Sequence, residues 1–178
     1  MRTSPHNASA TARRNNGFSL VELIVYTAIL SIVVSTLTMT AVSLLGSFAY
    51  ARASGDIAET AGVALERMTR ELRFAHAVNA GASTLGTHPG VLVLQTSDPS
   101  GTPTTLTVSM AGGRIMLSTG GSTPSPLTRN AVTVSELVFT HMSGTETQAV
   151  RIDLTLERTV RGALISKSFR TFVVLDGS

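Results

Sequence analysis

Gly17-Phe18-Ser19-Leu20-Val21-Glu22-Leu23-Ile24-Val25-Tyr26 marks an abrupt change of character in the chain. Upstream, residues 1–17 are polar and free of acids; they carry Arg2, Arg13 and Arg14, and Pro5, Asn7, Asn15 and Asn16 discourage helix. That stretch reads as an unstructured basic leader. Downstream, no charged residue occurs between Glu22 and Arg52. As α-helix, Leu23 to Leu45 spans about 35 Å, enough to cross a hydrocarbon layer of roughly 30 Å with some tilt. The direct reading is one membrane pass over residues 18–45. The basic flank precedes it, so the positive-inside bias keeps the N-terminus cytoplasmic and the C-terminal part extracytoplasmic. A secretory signal peptide is the competing reading, since Ala49-Tyr50-Ala51 offers a small-residue cleavage pattern. Against it, the apolar stretch exceeds the roughly 7–15 residues of a signal core and opens on a glutamate.

Composition agrees with membrane contact. Charged residues make up 14% of the 178, well below the roughly 25% of soluble domains. Cysteine is absent, which removes disulfides, thiolate metal sites and thiol nucleophiles together. The formal charge of +3 comes from the leader, because the remaining basic and acidic residues balance at 11 each. Without the leader, neither a phosphate-neutralising surface nor a stacking platform is left, and no nucleic acid is expected as a partner of the mature chain. Glu22 is the informative residue, because a carboxylate at the edge of a membrane helix is costly unless paired, neutralised or interfacial.

A basic leader ending in Gly17, an aromatic Phe18, Glu22 at a fixed short spacing and a long apolar helix occur together here. This combination resembles the type IV prepilin family, which includes the pseudopilins of type II secretion and competence systems. The resemblance implies a membrane aspartyl peptidase, the prepilin peptidase, that cuts between Gly17 and Phe18 on the cytoplasmic side and methylates the new terminus, making Phe18 N-methylphenylalanine. It also implies other pilin or pseudopilin subunits and an inner-membrane assembly platform as partners, with the lipid bilayer holding the subunit before assembly. After such a cut, the Phe18 amine stands about one helical turn from Glu22. In a filament, the amine of one subunit can meet Glu22 of a neighbour, so that two groups expensive in hydrocarbon are tolerated as a pair and fix axial register. Many major pilins carry a helix-breaking proline in the span; this chain has none there, and Gly46 is its only interior breaker candidate.

Beyond the span, Ile57, Ala61, Ala64, Leu65, Met68, Leu72 and Ala75 recur at steps of three or four, with Glu59, Glu66, Arg67, Arg70, Glu71 and Arg73 on other faces. The amphipathic helix is expected over 46–79, so that the whole helix covers 18–79, with Glu66–Arg70 and Arg67–Glu71 at i,i+4. A solvated face is the plain reading of those arginines, and headgroup or partner contact the alternative. Asn79-Ala80-Gly81 supplies a helix stop. From 80 to 178 the pattern turns strand-like, with candidate strands Val91–Gln95, Thr104–Met110, Arg114–Ser118, Ala131–His141, Ala149–Glu157 and Ala163–Leu175. Val150 to Leu156 alternates strictly, and Ala111-Gly112-Gly113 and Arg161-Gly162 read as hairpin turns. The expected architecture is α+β, a long helix packed on an antiparallel sheet of five or six strands, the lollipop of the pilin family. Leu65–Arg73, Leu137–Phe139, Val150–Leu156 and Phe169–Val173 are further similar in order and spacing to J-type minor pseudopilins and related minor pilins.

Catalytic chemistry finds no footing. His6, His76, His88 and His141 lack metal-site spacing, Asp98, Asp153 and Asp176 lie far apart, and no serine sits in a nucleophile elbow. No enzyme activity, cofactor or metal is expected. Asp98-Pro99-Ser100-Gly101 can be read as a calcium loop or as a turn shaped by its aspartate. Ser118 to Pro126 reads as an exposed loop. Three functional classes follow: a minor pilin or pseudopilin, a membrane-anchored extracytoplasmic binding module that does not polymerise, and an anchored hydrolase.

Overall fold

The computed structural model describes residues 19–144 and 147–175. The chain divides into two compact units, Met1–Gly46 and Ser47–Ser178. Helix α1 (Leu20–Arg73) contributes to both and has 54 residues. Within the first unit its large side chains, from Leu20 and Val21 through Leu44 and Leu45, are all exposed. This helix is long and apolar enough to cross a membrane. Its hydroxyls turn inward on their own backbone: Thr27 donates to the Ile24 carbonyl, Ser31 to Thr27, Ser35 to Ser31, Thr38 to Val34 and Thr40 to Thr36, at 2.7–2.9 Å. Polar atoms with an internal partner are compatible with hydrocarbon.

The second unit is built on the other part of α1. Ala53, Ile57, Thr60, Ala61, Ala64, Met68 and Leu72 form its buried face, the 3–4 spacing that an amphipathic helix requires. All but Thr60 join one hydrophobic cluster with side chains of two antiparallel sheets. The first sheet has the order β1 (Ala77–Val78), β2 (Leu92–Ser97), β3 (Pro103–Ala111), β4 (Arg114–Thr119), β5 (Ser125–Pro126). The second has the order β6 (Thr133–Ser143), β7 (Gln148–Val160), β8 (Ala163–Val174). Val150, Ile152, Leu154 and Leu156 are all buried, as their alternation requires. Asp56 of α1 pairs with Arg158 of β7, and Glu59 with Arg129 at 3.1 Å, so ion pairs flank the apolar helix face.

Three expectations need correction. The helix ends at Arg73 rather than at 79. Leu72, Ala75 and Val78 are all buried, so their spacing mimics another helical turn. Instead, the His76 N–H donates to the Gln95 carbonyl at 2.8 Å, and Ala77 and Val78 pair with Gln95 and Leu94. The head therefore starts with a strand before residue 80. Secondly, its strands form two sheets, not one. β5 ends at Pro126, which has no N–H to extend a ladder. The outer edge of β6 is met by loop residues, with Gly86 N–H on the Phe139 carbonyl and Gly90 N–H on the Leu137 carbonyl, both at 2.8 Å. Thirdly, Ser125 and Pro126, read as loop, pair with Leu117 and Met116.

Both hairpin expectations match the structure. Ala111 and Arg114 close a two-residue turn on Gly112 and Gly113, with φ of 57° and 70°. Val160 and Ala163 close another on Arg161 and Gly162, with φ of 50° and 82°. Left-handed values at both central residues are the turn that matches strand twist.

Candidate functional site

Gly17 and Phe18 lie outside the described residues. The helix that follows them starts with Leu23 N–H donating to the Ser19 carbonyl at 3.1 Å. Glu22 stands in the first turn of α1, where the unpaired N–H groups make the helix end partially positive and an acid favourable. It is exposed among exposed apolar neighbours, Leu20, Val21, Leu23 and Ile24. Its Oε1 accepts the Tyr26 hydroxyl at 3.4 Å. Sequence reading missed Tyr26, although an aromatic hydroxyl four residues after an acid on a helix is itself the signal. Its contact is long, so Tyr26 orients the carboxylate without engaging it fully.

Other candidate groups are engaged locally. One oxygen of Asp98 accepts the Ser100 N–H at 2.9 Å, the Ser100 hydroxyl at 2.6 Å and the Thr102 N–H at 2.9 Å. The Ser100 hydroxyl and these backbone donors hold its carboxyl below the usual aspartate range. An acid so occupied by its own loop is a turn-forming residue. Burial pushes the Asp153 carboxyl up, but hydrogen bonds and charge from Arg170 and Arg151 outweigh it, and the net shift is downward. His76 Nε2 lies 3.1 Å from the Ser97 hydroxyl, and His88 Nδ1 accepts the Leu137 N–H at 3.1 Å. His141 Nε2 is buried without a partner among the described residues. His6 and Asp176 lie outside them. No group of three or more His, Asp or Glu that could hold a metal stands together among the described residues. Of the two helix ion pairs expected, Glu66–Arg70 forms at 3.0 Å.

The four segments singled out in the head converge. Leu137 and Phe139 of β6 pair with Leu154 and Ile152 of β7, which pair in turn with Phe169 and Thr171 of β8. Met68 and Leu72, from the helical segment, share their hydrophobic cluster.

A long apolar N-terminal helix followed by antiparallel sheets is the α+β, pilin-like architecture. Residues 12–38 match the family described as the prokaryotic N-terminal methylation motif. The chain thus carries the N-terminal signature of type IV pilin-like prepilins, and that signature is the mark of a structural subunit. No curated protein and no solved structure matches the chain.

Proposed function

We propose that this chain is a minor pilin or pseudopilin, a filament subunit that acts by assembly rather than catalysis. In this reading the prepilin peptidase cuts between Gly17 and Phe18 and methylates Phe18. The mature helix waits in the cytoplasmic membrane with its head extracytoplasmic, until an inner-membrane assembly platform inserts it among other subunits of a type IV pilus or type II secretion pseudopilus. Glu22 then meets the Phe18 amine of a neighbour. One observation carries the reading: the methylation motif over residues 12–38 stands at the head of a helix whose first part is apolar and exposed.

Mass spectrometry of protein purified from its own membranes tests it. The expected mature chain begins at Phe18 and carries one methyl group, and a Gly17→Val variant keeps the leader. Recovery of functional filaments in which Arg13 and Arg14 are still attached overturns the proposal. A processed subunit that never enters a filament would favour an anchored binding module instead.

A further inference from the structure

Among the described residues the head has four sheet edges, and three of them are closed. β1 and β5 have two residues each, and β5 contains Pro126, both standard ways of blunting an edge. β6 is met by Gly86, Gly90 and the Gly113 carbonyl. The fourth, β8, is 12 residues long, pairs with β7 in unbroken register and has no strand on its other side. It holds neither proline nor bulge. Its charges are Lys167, which points inward with its Nζ 3.5 Å from the Ser54 carbonyl, and Arg170, which is drawn back onto Asp153 of β7, so residues 168–174 carry no unpaired charge to guard the edge.

Which backbone groups are free follows from the ladder. Leu175 N–H donates to the Gln148 carbonyl at 2.9 Å. Antiparallel alternation then gives β7 the groups of Val173, Thr171 and Phe169, and turns those of Val174, Phe172, Arg170 and Ser168 outward. Beside this edge, at Thr171, opens a groove of about 890 Å³, whose other walls include Leu65, Arg70, Arg73, Phe74 and His76. That volume falls within the roughly 300–1,000 Å³ of ligand clefts. Phe74 is 71% exposed, and Phe172 and Val174 on the opposite sheet face are also exposed.

We infer that β8 accepts an extended acidic segment of another protein chain as a fourth strand of the β6-β7-β8 sheet. Free main-chain groups supply the generic recognition and side chains at alternate positions the specificity. An added strand directs one set of side chains into the groove and the other beside Phe172 and Val174. The groove side is basic: Arg73 has no ion pair among the described residues, and Glu66, the groove's acid, is shared with Arg70. Acids therefore face the groove and apolar residues face Phe172 and Val174. Pairing of β8 with β8 of a second copy is disfavoured, because it brings together two edges of the same sign, each with Lys167 and with an Arg73 that has no ion pair among the described residues. The inference stands on the head alone and does not depend on the proposed maturation.

Fluorescence anisotropy on the full chain in nanodiscs of zwitterionic lipid tests it, with a short capped peptide of alternating valine and glutamate as probe. The expected result is saturable binding, weakened about tenfold or more when alternate peptide amides are N-methylated. Replacement of its glutamates by lysine is expected to do the same, and the Arg70→Glu/Arg73→Glu variant is expected to reverse that preference. Phe172→Pro removes an edge N–H that β7 does not use, and is expected to abolish binding with unchanged circular dichroism. Should that variant misfold, the N-methylated peptide carries the same test on the native chain. Absence of binding up to about 1 mM, equal binding of the N-methylated peptide, or self-association that displaces the probe each overturns the inference.

Discussion

Glu22 and Tyr26 occupy successive turns of α1, and their 3.4 Å contact gives the carboxylate one weak donor. In the proposed filament the stronger donor comes from a neighbour, so Glu22→Ala is expected to leave membrane insertion intact while depleting the subunit from sheared filaments. Tyr26→Phe is expected to change incorporation by less than about threefold, since one long hydrogen bond contributes at most about 0.5 kcal/mol. Immunoblots of membrane and sheared fractions read both. Asp153 allows a sharper test in the head, because its folded-state carboxyl is held below the ordinary range by Arg170 and Arg151. A depressed acid contributes stability above its unfolded value of about 3.9 and loses it as pH falls through the lower folded one. Asp153→Asn is therefore expected to cost about 0.5–1 kcal/mol at pH 7. As pH falls from about 4 through the lower folded value, its stability should converge progressively with that of the native chain. Denaturant titrations in detergent micelles across that range measure the difference.

At the scale of elements, strict alternation made β7 readable, and the glycine turns made its neighbours readable. The bulge in β6 is legible only in retrospect: Val132, Val134, Leu137 and Phe139 are buried, and the three-residue step marks the register shift between Val134 and Glu136. The two-residue strands β1 and β5 were not legible, since two residues carry no period. Packing at Gly90 is also invisible in the sequence. A Cβ there would lie 2.9 Å from Phe139 Cδ2 and 3.0 Å from the Leu137 carbonyl oxygen, both parts of buried β6. Gly90→Ala is accordingly expected to destabilise the head by about 1–3 kcal/mol. Leu154→Ala, which empties a site 1% exposed at the centre of β7, is expected to cost about 2–5 kcal/mol. Both are read as shifts of the denaturation midpoint.

For the molecule as a whole, legibility follows the kind of physics involved. The basic, acid-free N-terminal stretch and the apolar span after it are one-dimensional properties, open to direct reading along residues 1–45. Division of the head into two sheets is not, because it depends on Gly86 and Gly90 reaching β6 from a loop far away in the chain. The open edge of β8 is likewise a property of topology: the segment Ala163–Val174 reads the same whether a fourth strand covers it or not. At the proposed maturation site, Glu22 and its spacing are readable along the chain, whereas the Tyr26 hydroxyl reaches Glu22 only through the helical turn that brings the two together. A truncated chain starting at Ser47 is expected to retain the head's far-UV spectrum and a single cooperative unfolding transition, since that unit holds the whole buried cluster.

The back-bonded hydroxyls of α1 bear on what the helix can do next. Thr27, Ser31, Ser35, Thr38 and Thr40 each bring their own acceptor with them. Exchanging fatty tails for protein neighbours leaves those bonds intact, and they demand nothing from whatever surrounds the rod. A segment so self-contained has no polar reason to prefer one greasy surrounding over another, which leaves Glu22 as the group in its first turn that can tell them apart.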